Sequence, residues 1–76
     1  MFKLYTQENC PNCEELKGFL QEKGIAYDEI DVNQDTKARA FMIMNDLETT
    51  PAIATGDNVF AGDLVDIKTR IENLLW

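Results

Sequence analysis

The 76-residue chain contains no histidine and no serine. The first absence removes the commonest general base and the commonest metal ligand. The two together exclude a Ser-His-Asp arrangement. Bases are few: seven Lys and Arg stand against fourteen Asp and Glu, for a net charge of −7. The seven are scattered and no two are adjacent. A nucleic-acid binder needs clustered cations to displace counterions, so neither nucleic acid nor an anionic membrane surface is an expected partner. No run of apolar residues reaches the length needed to span a bilayer. The opening MFKLYTQEN has no basic region followed by an apolar stretch, so no secretory signal is expected and the reading is cytoplasmic. The length fits one domain, 1–76, with a thin core and no room for a large substrate cavity. Apolar residues make up 45%, well above disordered composition.

What is present is a short alternation of element signals. Phe2 to Tyr5 reads as a strand and Thr6 to Asn9 as a loop. Pro11 suits the first position of a helix. Cys13, Leu16, Phe19 and Leu20 then make one apolar face, with Glu14 and Glu15 in the first turn, Lys23 in the last and Gly24 as the left-handed stop. Gly18 inside this helix costs up to about 1 kcal/mol against Ala, and a close packing contact would be one reason for it. Ile25 to Val32 reads as a second strand packing through Tyr27, Ile30 and Val32. Asn33 or Asp35 caps a second helix, Thr36 to Asn45, whose stripe is Ala38, Phe41, Met42 and Asn45. Ala52 to Thr55 and Asn58 to Phe60 form a hairpin about a Gly56-Asp57 turn. Gly62-Asp63 opens a last helix with Leu64, Ile67, Ile71, Leu74 and Leu75 apolar, and Trp76 is expected to pack its end onto the body. Tyr5, Phe19 and Phe41 read as core, Phe60 as core or rim, and Met42 and Met44 as core filler or surface. The order is β-α-β-α-β-β-α. The crossover makes the first two strands parallel, and the hairpin adds two antiparallel ones. The fold class is α/β: a four-stranded mixed sheet with helices on both faces.

Both cysteines lie in Cys10-Pro11-Asn12-Cys13. In a chain with a βαβ pattern this spacing reads as a redox dithiol. Cys10 falls at the helix cap and Cys13 one turn in, on the same side. The positive end of the helix, with its free N–H groups, favours a Cys10 thiolate. Cys13 belongs to the apolar stripe and is hidden. Cys10 is therefore the attacking thiol and Cys13 the resolving one. A purely structural staple is the weaker reading, since closing four residues stabilises by about 2 kcal/mol at best. Two thiolates are also half of a tetrahedral metal site, and a dimer pooling four sulfurs could carry a metal or an iron–sulfur cluster. That carrier is the alternative function. A binding module whose cysteines no longer cycle is a third.

Thr49-Thr50-Pro51 stands about forty residues on, just before a strand. A lone proline there could simply open an edge strand. After a C-x-x-C, a cis bond at this place would turn the chain and leave the Thr50 backbone facing the dithiol, free to pair with a substrate chain.

Tyr5-Thr6-Gln7-Glu8-Asn9-Cys10-Pro11-Asn12-Cys13, then Ile30-Asp31-Val32, Thr49-Thr50-Pro51-Ala52-Ile53 and Ala61-Gly62-Asp63, resemble the glutaredoxin family over nearly the whole chain. The resemblance implies a thioredoxin-like fold, a dithiol–disulfide cycle that reduces protein disulfides, and a cis-Pro51. It implies no tightly bound cofactor and no resident metal. It also implies a substrate-binding set made of Gln7, Pro11, Asn12, Thr49, Thr50, Pro51, Gly62 and Asp63. Gln7 stands where members that use glutathione have a lysine, and Asn12 where they have a tyrosine. Glu8, Glu14 and Glu15 crowd the same rim, and Asp63 would repel a carboxylate unless it caps the last helix. Little positive charge is expected to meet a glutathione carboxylate, so efficient use of glutathione is not expected. In this the chain is similar to NrdH-type redoxins, which take electrons from a thioredoxin reductase and pass them to ribonucleotide reductase. Phe60-Ala61-Gly62 matches their late motif in part, while Pro11-Asn12 departs from their usual Val-Gln. The electron donor, glutathione or a thioredoxin reductase, is left open. The partners expected are a disulfide-containing protein and a reductase or low-molecular-weight thiol, met by a monomer.

Overall fold

A computed structural model describes residues 2–47, 49–56 and 58–75. Its elements follow the expected order: β1 (Phe2–Thr6), α1 (Pro11–Glu22), β2 (Tyr27–Asp31), α2 (Thr36–Met44), β3 (Ala52–Thr55), β4 (Asn58–Ala61) and α3 (Leu64–Leu75). They form a thioredoxin-like α/β fold with one four-stranded sheet in the order β2-β1-β3-β4. β1 runs parallel to β2, with Phe2 opposite Tyr27 and Thr6 opposite Asp31. β3 lies antiparallel to β1, with Leu4 opposite Ile53, and β4 antiparallel to β3, with Ile53 opposite Phe60.

Alternation along these strands divides the core into two layers. Leu4, Ile53 and Phe60 point to one face, where they meet Leu16 and Leu20 of α1 and Ile67 and Ile71 of α3. Tyr5, Ala52 and Ala54 point to the other, against Val32 and against Ala38 and Met42 of α2. The small residues of β3 let a nine-residue helix lie on that second face. Phe60 is thus core, Phe19 and Phe41 are half-buried at its edge, Met42 is core and Met44 is exposed.

Helix ends account for most shifts from the expected boundaries. α1 closes in a Schellman motif: Gly24 takes φ +71°, its N–H donates to the Gln21 carbonyl at 3.1 Å, and the Ile25 N–H donates to the Leu20 carbonyl at 2.9 Å. Ile25 was expected in the second strand; its N–H is committed to this cap, and the strand begins only at Tyr27. At the other end Val32 lies past the strand and keeps one bond, its N–H donating to the Thr6 carbonyl at 2.9 Å. Lys23, expected in the last turn, is the C-cap, and of the two expected first-turn acids only Glu14 lies there. α2 repeats the motif without glycine. Asp46 takes φ +57°, its N–H donates to the Ile43 carbonyl at 3.2 Å, and the Leu47 N–H donates to the Met42 carbonyl at 2.8 Å. Asp35, rather than Asn33, caps the start of α2, its carboxylate accepting the Lys37 and Ala38 N–H groups at 3.0 and 3.1 Å. Such a cap contributes about 1 kcal/mol.

Two further expectations fail. Gly18 is exposed and a Cβ there would meet nothing within 4 Å, so no packing contact explains it. Leu74 is 42% exposed although it shares the helix face of Ile67, seven residues earlier, because it stands in the last turn of α3. Asp57, the Leu75 side chain and Trp76 lie outside the described residues.

Candidate functional site: the dithiol and its groove

β1 ends at Thr6, and Gln7, Glu8 and Asn9 carry the chain to α1. Asn9 takes φ +55°, a left-handed position that asparagine tolerates. The next residue, Cys10, is the extended N-cap of α1, and Pro11 follows in the first turn. The Cys10 sulfur therefore faces the open N–H groups of the helix and accepts the Cys13 N–H at 3.2 Å. Cys10 and Cys13 are joined as a disulfide, with Cα atoms 5.2 Å apart. Their surroundings differ as expected. Cys10 is half-buried, whereas Cys13 is 2% exposed.

The Thr50–Pro51 peptide bond is cis, as the sequence pattern led us to expect. Pro51 is fully buried just before β3. Thr50 reaches the dithiol: its carbonyl oxygen lies 3.9 Å from the Cys10 sulfur, and its hydroxyl donates toward that sulfur at 3.6 Å.

The other expected binding residues separate into groups. Gln7, Thr49 and Thr50 line one groove of about 370 Å³, together with Val32, Asn33, Arg39, Met42, Ile43 and Leu47. Thr49 also borders a smaller groove of about 260 Å³ with Asp46, Leu47, Ala61 and Gly62. Pro11, Asn12 and Asp63 are exposed and line neither. Asp63 stands at the head of α3, where its carbonyl accepts the Ile67 N–H at 2.9 Å.

Arg39 corrects the expectation of little positive charge. It projects from the first turns of α2 into the groove that Gln7 shares, and its guanidinium donates to the Asn33 side-chain oxygen at 3.2 Å. Sequence reasoning missed it because Arg39 is thirty-two positions from Gln7. The available signal was helical: Arg39 and Ile43 form an i,i+4 row beside the buried row of Ala38 and Met42. On the α1 side Glu8, Glu14 and Glu15 are exposed. Glu14 is paired with Lys17 at 2.8 Å, and Lys17 also meets Glu29 at 3.1 Å. Hydrogen bonds to Glu14 and Glu29 hold the Lys17 ammonium above its ordinary pKa.

The arrangement is suited to exchange at sulfur. One sulfur is reachable and faces a helix N-terminus, its partner is buried beside it, and a backbone carbonyl stands within 4 Å. Among the described residues no cluster of three or more metal-ligating side chains forms, and the metal-carrier alternative gains no support.

Comparison with known proteins agrees. The glutaredoxin family model matches residues 2–60. Glutaredoxin 1 of Rickettsia conorii is 36% identical over 80 aligned positions, covering 95% of this chain and 78% of that protein. The glutaredoxin-like protein NrdH of Lactococcus lactis is 31% identical over 62, covering 82% of this chain and 86% of that one. The crystal structure of the thioredoxin-like protein BC3987 superposes with a TM-score of 0.82 at 32% identity, over 93% of this chain and 99% of the other. With its Cys10–Cys13 pair set on a thioredoxin-like fold of the thiol–disulfide oxidoreductase kind, this chain belongs to the glutaredoxin family.

Proposed function

We propose that the chain is a small electron carrier that reduces protein disulfides through Cys10 and Cys13. The observation that carries this reading is the setting of Cys10: its sulfur accepts the Cys13 N–H at 3.2 Å at the head of α1 and lies beside Thr50, with Cys13 buried behind it. In the reduced protein that N–H and the helix dipole favour the Cys10 thiolate. The thiolate attacks one sulfur of a substrate disulfide. A Cys10–substrate bond forms, the substrate S–S bond breaks, and one substrate thiolate leaves and takes a proton. Cys13, having lost its proton, attacks Cys10. The internal disulfide forms and the second substrate thiol departs, so that two electrons and two protons have passed to the substrate. Thr50 holds the substrate chain by its free backbone groups during this sequence.

The donor that returns the electrons is a thioredoxin-reductase-type enzyme or a low-molecular-weight thiol such as glutathione. The loss of a lysine at Gln7 favours the first, while Arg39 in the same groove supplies a cation to the second. Similarity to a relative named NrdH supports a protein acceptor of the ribonucleotide reductase kind in a reducing cytoplasm.

The test supplies the oxidised protein with insulin as disulfide acceptor and NADPH through either thioredoxin reductase or glutathione with glutathione reductase. Turnover is expected with thioredoxin reductase. Turnover with glutathione alone would keep the chemistry and reverse the donor. No insulin reduction by either route, nor by the protein pre-reduced with dithiothreitol, would overturn the reading.

A further inference from the structure

We infer that the α2 side of the dithiol is a docking surface for an extended segment of a protein substrate that carries a bulky apolar side chain beside its half-cystine. The inference rests on the proposed exchange at Cys10 and adds what selects the substrate.

The helix α2 seals the sheet with Ala38 and Met42, and these are buried. Ile43 is next to Met42 on the helix and is 70% exposed, while Met44 is 83% exposed. Exposed large aliphatics carry information when they gather at a groove. Ile43 lines the same groove as Thr49 and Thr50, and Thr50 touches the Cys10 sulfur at 3.6 Å. Leu47 completes the apolar wall. The left-handed Asp46 folds the chain back so that the Leu47 N–H reaches the Met42 carbonyl at 2.8 Å and its side chain enters the groove. A chain held covalently at Cys10 and paired with the Thr50 backbone therefore runs from the reacting sulfur onto Ile43 and Leu47.

Charge selects among possible occupants. A second copy of this chain would bring another net charge of −7 against the first, which like-charge repulsion opposes. Arg39 is the one cation lining the groove among the described residues, and it offers a partner's acid a place beyond the apolar wall. A small thiol such as glutathione has carboxylates but no bulky apolar side chain to set against Ile43. The surface fits a folded protein's exposed disulfide-bearing strand or tail.

The test uses two disulfide-linked peptides that differ only beside the cysteine, Leu in one and Ser in the other, reduced by the dithiothreitol-primed protein. The wild type is expected to prefer the Leu peptide by about tenfold in kcat/KM, the lower range for an apolar contact of this kind. Ile43→Ser should bring the ratio close to one, and Ile43→Leu should retain it. Equal rates for the two peptides in the wild type, or a preference that survives Ile43→Ser, would overturn the docking surface and leave the exchange chemistry standing. Failure to reduce either peptide would instead strike the proposed function.

Discussion

Cys10 and Cys13 are the same residue three positions apart, and they stand in different surroundings. Cys10 ends an extended segment and faces free N–H groups, while Cys13 begins the buried stripe that continues in Leu16 and Leu20. That difference was legible in the sequence, because a proline after Cys10 marks the helix start and the apolar spacing begins at Cys13. Thr50 was legible for a similar reason, standing before a proline at a helix-to-strand junction. Arg39 was not legible, since its place in the groove depends on how α2 lies across the sheet. Tyr5 carries a prediction at this scale. Its ring is buried and stacked on Phe41 with centroids 5.2 Å apart. Burial, and then the negative charge of Asp35, hold its hydroxyl above the ordinary pKa of 10.0. A raised folded pKa means that the stability from the neutral phenol is present below pH 10 and is lost as pH rises through the folded value. In a Tyr27→Phe background, phenolate absorbance should have its midpoint above pH 10, with thermal stability falling in step. A Tyr5 midpoint at or below pH 10 would contradict the burial argument.

At the scale of elements, order and type followed from periodicity, and the boundaries moved where caps intervened. Gly24 announced the end of α1 because only a left-handed residue completes that turn, and it does so. Asp46 gave no such signal: an aspartate seldom takes this conformation, and only the closed structure shows it turning Leu47 into the groove. Gly18 offers the direct test. It sits in the body of α1, exposed, with open space where a Cβ would go. Gly18→Ala should raise stability by about 0.5–1 kcal/mol, through helix propensity and a less flexible unfolded chain. Urea unfolding at neutral pH reads this as a higher midpoint with an unchanged slope. A lower midpoint would mean that something packs against Gly18.

At the scale of the whole molecule, two thin layers on one sheet leave the C-terminal end of β1 as the place where α1, α2 and β3 converge. The sheet topology was legible because a helical crossover enforces parallel strands and a short turn enforces a hairpin. The difference between the two sides of the dithiol was not. The α1 side carries exposed Glu8, Glu14 and Glu15 with Lys17 paired to Glu14, and the α2 side presents Arg39 and exposed Ile43. That asymmetry arises from distant segments meeting. Among the described residues no helix is long and apolar enough to cross a membrane.

The central claim is that Cys10 attacks and Cys13 resolves. Its most direct test is mass spectrometry of Cys13→Ser and Cys10→Ser after each reduced variant meets a protein disulfide. The account predicts that Cys13→Ser accumulates a mixed disulfide at Cys10, while Cys10→Ser accumulates none and reduces nothing. A stable adduct on Cys13 in the Cys10→Ser protein, formed as fast as that on Cys10, would contradict it.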